Sequence, residues 1–153
     1  MAAPTRLCYD SPEADVSLSE HISPLIGRLV LAWFFASQAW NYGHLWDDSV
    51  AQIAAKHLPV APLLLALGLV VMILGALALL LGFHARHGAM LLFAFVIAAS
   101  VSMHDFWQIP NGAARDMEFD VFARNMAIAG GLLMIVGLGP GRFAIDNRND
   151  QRR

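Results

Sequence analysis

Residues 58–83 read LPVAPLLLALGLVVMILGALALLLGF. No Asp, Glu, Lys or Arg interrupts them. A helix rises 1.5 Å per residue, and about 20 apolar residues cross the hydrocarbon of a bilayer. This stretch is long enough to span a membrane by itself. Pro59 and Pro62 stand at its start, where a helix tolerates a missing N–H.

Three further apolar runs flank it. Residues 22–42 carry one charge, Arg28; residues 120–138 are broken by Asp120, Arg124 and Asn125. Residues 87–104 form a shorter run with His87 and His104 at its two ends. Together the runs predict spans at about 22–42, 59–83, 87–104 and 120–138. Arg28 and Arg124 lie within about two turns of a span end, close enough to snorkel to the interface. The expected fold is all-α: a polytopic membrane protein, an antiparallel four-transmembrane-helix bundle with both termini cytoplasmic. A transmembrane domain at 21–142 would lie between polar tails at 1–20 and 143–153.

Composition agrees. The chain of 153 residues is 58% hydrophobic and 14% charged, against roughly 25% charged in an average soluble domain. That excludes a disordered tail, a disulfide scaffold and an ordinary soluble enzyme. The formal net charge of −2 offers no basic field for nucleic acid. Four spans leave little mass for an extramembrane catalytic domain. The single cysteine, Cys8, forms no intrachain disulfide and has no neighbour for metal binding. The first 20 residues hold Asp10, Glu13, Asp15 and Glu20 against Arg6, unlike a secretory leader, so the first span is expected to be retained.

Lys and Arg near span ends set orientation. Arg6, Arg28, Arg86, Arg142, Arg148, Arg152 and Arg153 fall on the side of the termini; Lys56, Arg115 and Arg124 fall on the other. Seven against three predicts cytoplasmic termini and an acidic, Trp-rich outer face. Residues 49–57 read as a short interfacial helix, and Asn111-Gly112 as a turn.

Gly68, Gly75 and Gly82 recur every seven residues along the second span, and Gly130, Gly131 and Gly137 give the fourth a similar surface. Small residues let helices approach closely where lipid supplies no hydrophobic drive. Polar groups at hydrocarbon depth carry the functional information. Ser37, Asn41 and His44 share a face of span one; Ser100, His104 and Trp107 share a face of span three. If those faces met, Asn41, His44, His104, Asp105, Trp107, Arg124 and Asn125 would form a polar pocket near the outer surface, rimmed by Trp40 and Trp46. Three readings stay open: an interfacial belt of satisfied polar groups, a quinone or small-ligand pocket, and a haem or metal site. A bis-histidine haem needs a deep pair, which the sequence lacks, so quinone ranks before haem and no metal ligand set is assigned. His84 and His87, in a tight turn, read as interface residues. No Walker loop, nucleophile elbow, zinc-protease motif or Cys-x-x-Cys occurs, so no catalytic residue is assigned.

From about Pro24 to Asp146 the chain resembles the DoxX-like family of small four-helix membrane proteins. The resemblance rests on pieces in order: Leu25-Ile-Gly-Arg28-Leu-Val-Leu with Ser37 after it; Ala54-Ala-Lys-His-Leu-Pro59; Leu74-Gly-Ala-Leu-Ala-Leu-Leu-Leu-Gly82; His104-Asp-Phe-Trp107; Arg124-Asn125 with Gly130-Gly131; and Gly139-Pro-Gly-Arg-Phe-Ala-Ile-Asp146. The chain departs from it at Met72, where many relatives carry glutamate, and at Asn41, where many carry lysine. The resemblance implies an accessory, non-catalytic subunit of a membrane redox complex, with lipids and larger membrane or oxidoreductase subunits as partners. A structural assembly subunit and a transporter component are the competing expectations.

Overall fold

The computed structural model describes residues 13–139, 141 and 144. Five α-helices follow in order: α1 (Glu13–His44), α2 (Trp46–Ala55), α3 (Ala61–Leu81), α4 (Ala85–Met103) and α5 (Ala113–Leu138). A 3-10 turn at Phe106–Gln108 joins α4 to α5, and no strand occurs among the described residues. Four stretches are long and apolar enough to cross a membrane: Ile22–His44, Ala61–Leu81, Ala85–Gln108 and Ala113–Leu138. Arg6, Cys8, Arg142, Arg148, Arg152, Arg153 and most of the tail at 143–153 lie outside the described residues.

Local chemistry sets the helix ends. α1 stops at His44, and Ser49 Oγ donates to the Leu45 carbonyl at 2.7 Å, tying the α1–α2 joint to the first turn of α2. α3 carries Pro62 in its first turn, where no helical N–H is lost. It ends at Gly82, whose φ of +66° is the left-handed cap glycine adopts freely and whose N–H bonds to Ala78. His84 also has positive φ, so α4 starts within three residues of the end of α3.

α3 packs between α1 and α4; α4 packs on α5; α5 touches α1 lightly. The core draws on four helices: Phe35 and Ala39 from α1, Met72 and Leu79 from α3, Leu92 from α4 and Leu132 from α5, among others. Leu79, Leu92 and Leu132 are fully buried, while Val30, Leu67, Leu74 and Met134 are at least half exposed. Many large apolar side chains also face outward, and alanines and glycines let the helices approach, as a hydrocarbon solvent favours. A Cβ on Gly75 would fall 2.4 Å from Leu92, one on Gly88 2.6 Å from the Ala78 Cβ, and one on Gly68 3.1 Å from Phe95. These glycines therefore set the α3–α4 spacing inside the chain. Gly131 lies near Leu31, whereas Gly130 and Gly137 face open space.

α1 starts at Glu13 and α5 at Ala113, because helical hydrogen bonding continues past the edge of the apolar run; the first candidate span still begins at Ile22. One expectation needs correction. Arg28 does not snorkel: it is 2% exposed. Gly82 leaves it room, since a Cβ there would lie 2.6 Å from the guanidinium and 2.8 Å from Ala144. The Arg28 side chain thus sits at the carboxyl end of α3, where the helix dipole favours a cation.

Candidate functional site

At the end of the molecule that carries α2, charged groups from three segments meet. Lys56, just after α2, donates from Nζ to Asp105 Oδ1 at 2.5 Å. The adjacent His104 places Nδ1 2.7 Å from Glu118 Oε2 on α5. The carboxylate accepts, so this contact puts the proton on Nδ1. The α2–α3 linker, the end of α4 and the start of α5 are tied together. Phe106 packs against Trp107, Phe119 and Phe122 beside them. Ser100, one turn below His104, is fully buried, and its hydroxyl has no hydrogen-bond partner. The Lys56–Asp105 and His104–Glu118 pairs act as a tie between loops. Among the described residues no three His, Cys, Asp or Glu converge as metal ligands.

A concave feature lies elsewhere, along the wall between α1 and α3. A groove of about 710 Å³ is floored by Ala32, Ala36, Ala39, Gly43 and Ala76. Leu29, Trp33, Trp40, Ile73, Leu77 and Leu80 form its sides, and His44 stands at one end. The sequence explains the shape. Small residues on α1 keep the floor low, while Trp33 and Trp40, 71% and 77% exposed, stand up at the rim. Trp40 and His44, four residues apart, stack with ring centroids 6.2 Å apart and planes 5° apart.

The structure divides the residues singled out from the sequence. His104 and Asp105 belong to the ionic tie and Trp107 to its aromatic flank. Asn41 and His44 are exposed on α1, with α3 packed between α1 and α4, and His44 lines the groove. Arg124 is exposed and Asn125 half-buried on α5. Lys56 and Glu118 were not singled out, because no local spacing links them to their partners. The groove was missed too, although Trp33 in mid-span was a legible sign of it.

Comparison with known proteins adds a family. The profile of the SURF4 family matches residues 54–151. The chain is 25% identical to inner membrane protein YphA of Escherichia coli over 134 residues, 88% of this chain and 95% of that protein. It is also 25% identical to inner membrane protein YqjF of the same organism, over 83% of this chain and 92% of that protein. The Surfeit locus protein 4 homolog of Drosophila melanogaster is 33% identical over 88% of this chain, which covers 44% of that protein. No solved structure matches. The DoxX-like resemblance is therefore corrected: nothing in these matches points to that family. Its Gly-rich span, interfacial His and Trp, and small-residue pairs are features that packing in lipid asks of any small helical bundle. Four apolar helices and two inner-membrane relatives make this an integral inner-membrane protein.

Proposed function

The chain belongs to the SURF4 family, and from that premise we propose a non-catalytic membrane protein that holds a lipid-like chain in the groove between α1 and α3. The groove carries the proposal. Its 710 Å³ falls within the roughly 300–1,000 Å³ of small-molecule sites. It is apolar along its length and reaches a polar end at His44, with Asn41 one turn away. We place the chain in the membrane as an antiparallel bundle with both termini cytoplasmic; seven Lys and Arg against three support that orientation. The α2 end then faces outward, and Asn41 and His44 are assigned to the ligand's head. His104, Asp105 and Trp107 are assigned to the tie, and Arg124 and Asn125 to the neighbouring outer part of α5. Membership of a redox complex followed from the DoxX-like resemblance and loses that support; the quinone reading rested on a pocket joining His44 to His104 and Arg124, residues that the structure divides.

A second reading rests on the same floor. Ala32 with Ala36, and Ala39 with Gly43, are four residues apart, a spacing that suits close approach of a partner helix. It would make the chain an assembly subunit of a larger membrane protein. One experiment separates the two: mild-detergent purification of the tagged chain and an Ala36→Trp variant, with mass spectrometry of what each retains. Lipid held by the parent and depleted about tenfold in the folded variant is the expected result. Equal lipid in both would overturn the proposal. Loss of a stoichiometric membrane protein in the variant would transfer the groove to helix docking.

A further inference from the structure

We infer that the α1–α3 groove selects an uncharged lipid carrying a hydrogen-bond acceptor, such as a carbonyl oxygen, at mid-membrane depth. The inference rests on the ligand reading of the groove and narrows its ligand. Trp33 lies eleven residues from either end of the span Ile22–His44, about 16 Å of helix from each. It lines the groove and is 71% exposed. Among the described residues its indole N–H has no hydrogen-bond acceptor. Tryptophan gathers at membrane surfaces because water and head groups there accept from its N–H. Trp40, seven residues further on and stacked on His44, occupies that level. Trp33 does not: hydrocarbon offers no acceptor at its depth, and a desolvated donor without a partner is costly.

The rest of the lining fixes the charge of the occupant. The groove's side chains contribute two indole N–H groups and one imidazole, with no carboxylate, ammonium or guanidinium. A phosphate would find neither a lysine nor an arginine inside it. An aliphatic molecule with one neutral acceptor finds apolar sides at Leu29, Ile73, Leu77 and Leu80 and a donor at Trp33. The indole donor at Trp33 and the lack of carboxylate, ammonium and guanidinium groups together specify the complement.

The test measures equilibrium binding of two radiolabelled probes, methyl pentadecyl ketone and heptadecane, to the detergent-solubilised full chain. The probes have equal chain length and differ by one carbonyl. The parent is expected to bind the ketone about fivefold more tightly, the worth of one net hydrogen bond. In Trp33→Phe the two affinities should converge through loss of ketone binding alone; retained alkane affinity shows that the variant is folded. Trp107→Phe, away from the groove, should keep the preference. Equal affinities in the parent, or a preference that survives Trp33→Phe, would overturn the inference. The groove reading would then stand if Ala36→Trp abolished binding of both probes. Failure of both probes to bind the parent would overturn the two together.

Discussion

Gly75 and Leu92 show how little room separates α3 from α4. Leu92 is fully buried, and a methyl at Gly75 would press on its branched carbon at 2.4 Å. Gly75→Ala should lower stability by about 1–3 kcal/mol through overpacking, measured by reversible unfolding of the detergent-solubilised chain. Adding Leu92→Ala should restore part of the loss, since it removes the atoms that clash. Gly137→Ala is the matching control: it faces open space and should cost nothing. Equal losses at the two glycines would contradict this packing. The two intramembrane arginines give a second contrast. Arg28 is enclosed at the end of α3, whereas Arg124 is exposed. Removing an enclosed cation loses its interaction with the carboxyl end of α3, so Arg28→Ala should cost about 2 kcal/mol and Arg124→Ala much less. Similar small losses would mean that Arg28 reaches the interface after all.

The helices were legible to different degrees. α3 was plain from the sequence because a charge-free run of its length has no other stable environment. α1 and α5 run beyond the apolar stretches that announce them. Hydropathy marks where hydrocarbon ends, while a helix ends where its backbone hydrogen bonds do; the first turns of α5, with Arg115, Asp116 and Glu118, are polar and still helical. Neighbour relations were not legible. Nothing in the spacing of Asn41 and His44 says that α3 lies beside them, so a pocket shared with His104 was a reasonable expectation that the packing order does not assemble. Glu118 was hidden for the same reason, fourteen residues from the histidine it contacts. The tie predicts a local effect: Glu118→Gln weakens the acceptor for His104 and should speed amide hydrogen exchange at the start of α5. Exchange in α3 should stay unchanged, because its contacts with α1 and α4 do not depend on the tie. A uniform rise across all helices would show that the pair supports the whole fold.

At the scale of the molecule, orientation decides which faces the groove and the tie present to the cell. The count of seven cationic residues against three includes three at the far carboxyl end: Arg148, Arg152 and Arg153. All lie within about 15 residues of the end of α5, inside the range over which such charges act. In a Cys8→Ser background, a membrane-impermeant maleimide added outside intact spheroplasts should label Asp48→Cys on the exposed face of α2. It should leave Arg148→Cys unlabelled until lysis; the reverse pattern would invert the assignment and turn His44 toward the cytoplasm. The same labelling tests the cause. Replacing Arg148, Arg152 and Arg153 by Gln leaves four against three, a bias too small to hold one orientation. Asp48→Cys should then become labelled from outside in only part of the population. A fully retained orientation would place the determinant in the first span and Arg28, where a buried cation held at one end of α3 gives the chain a second reason to insert one way.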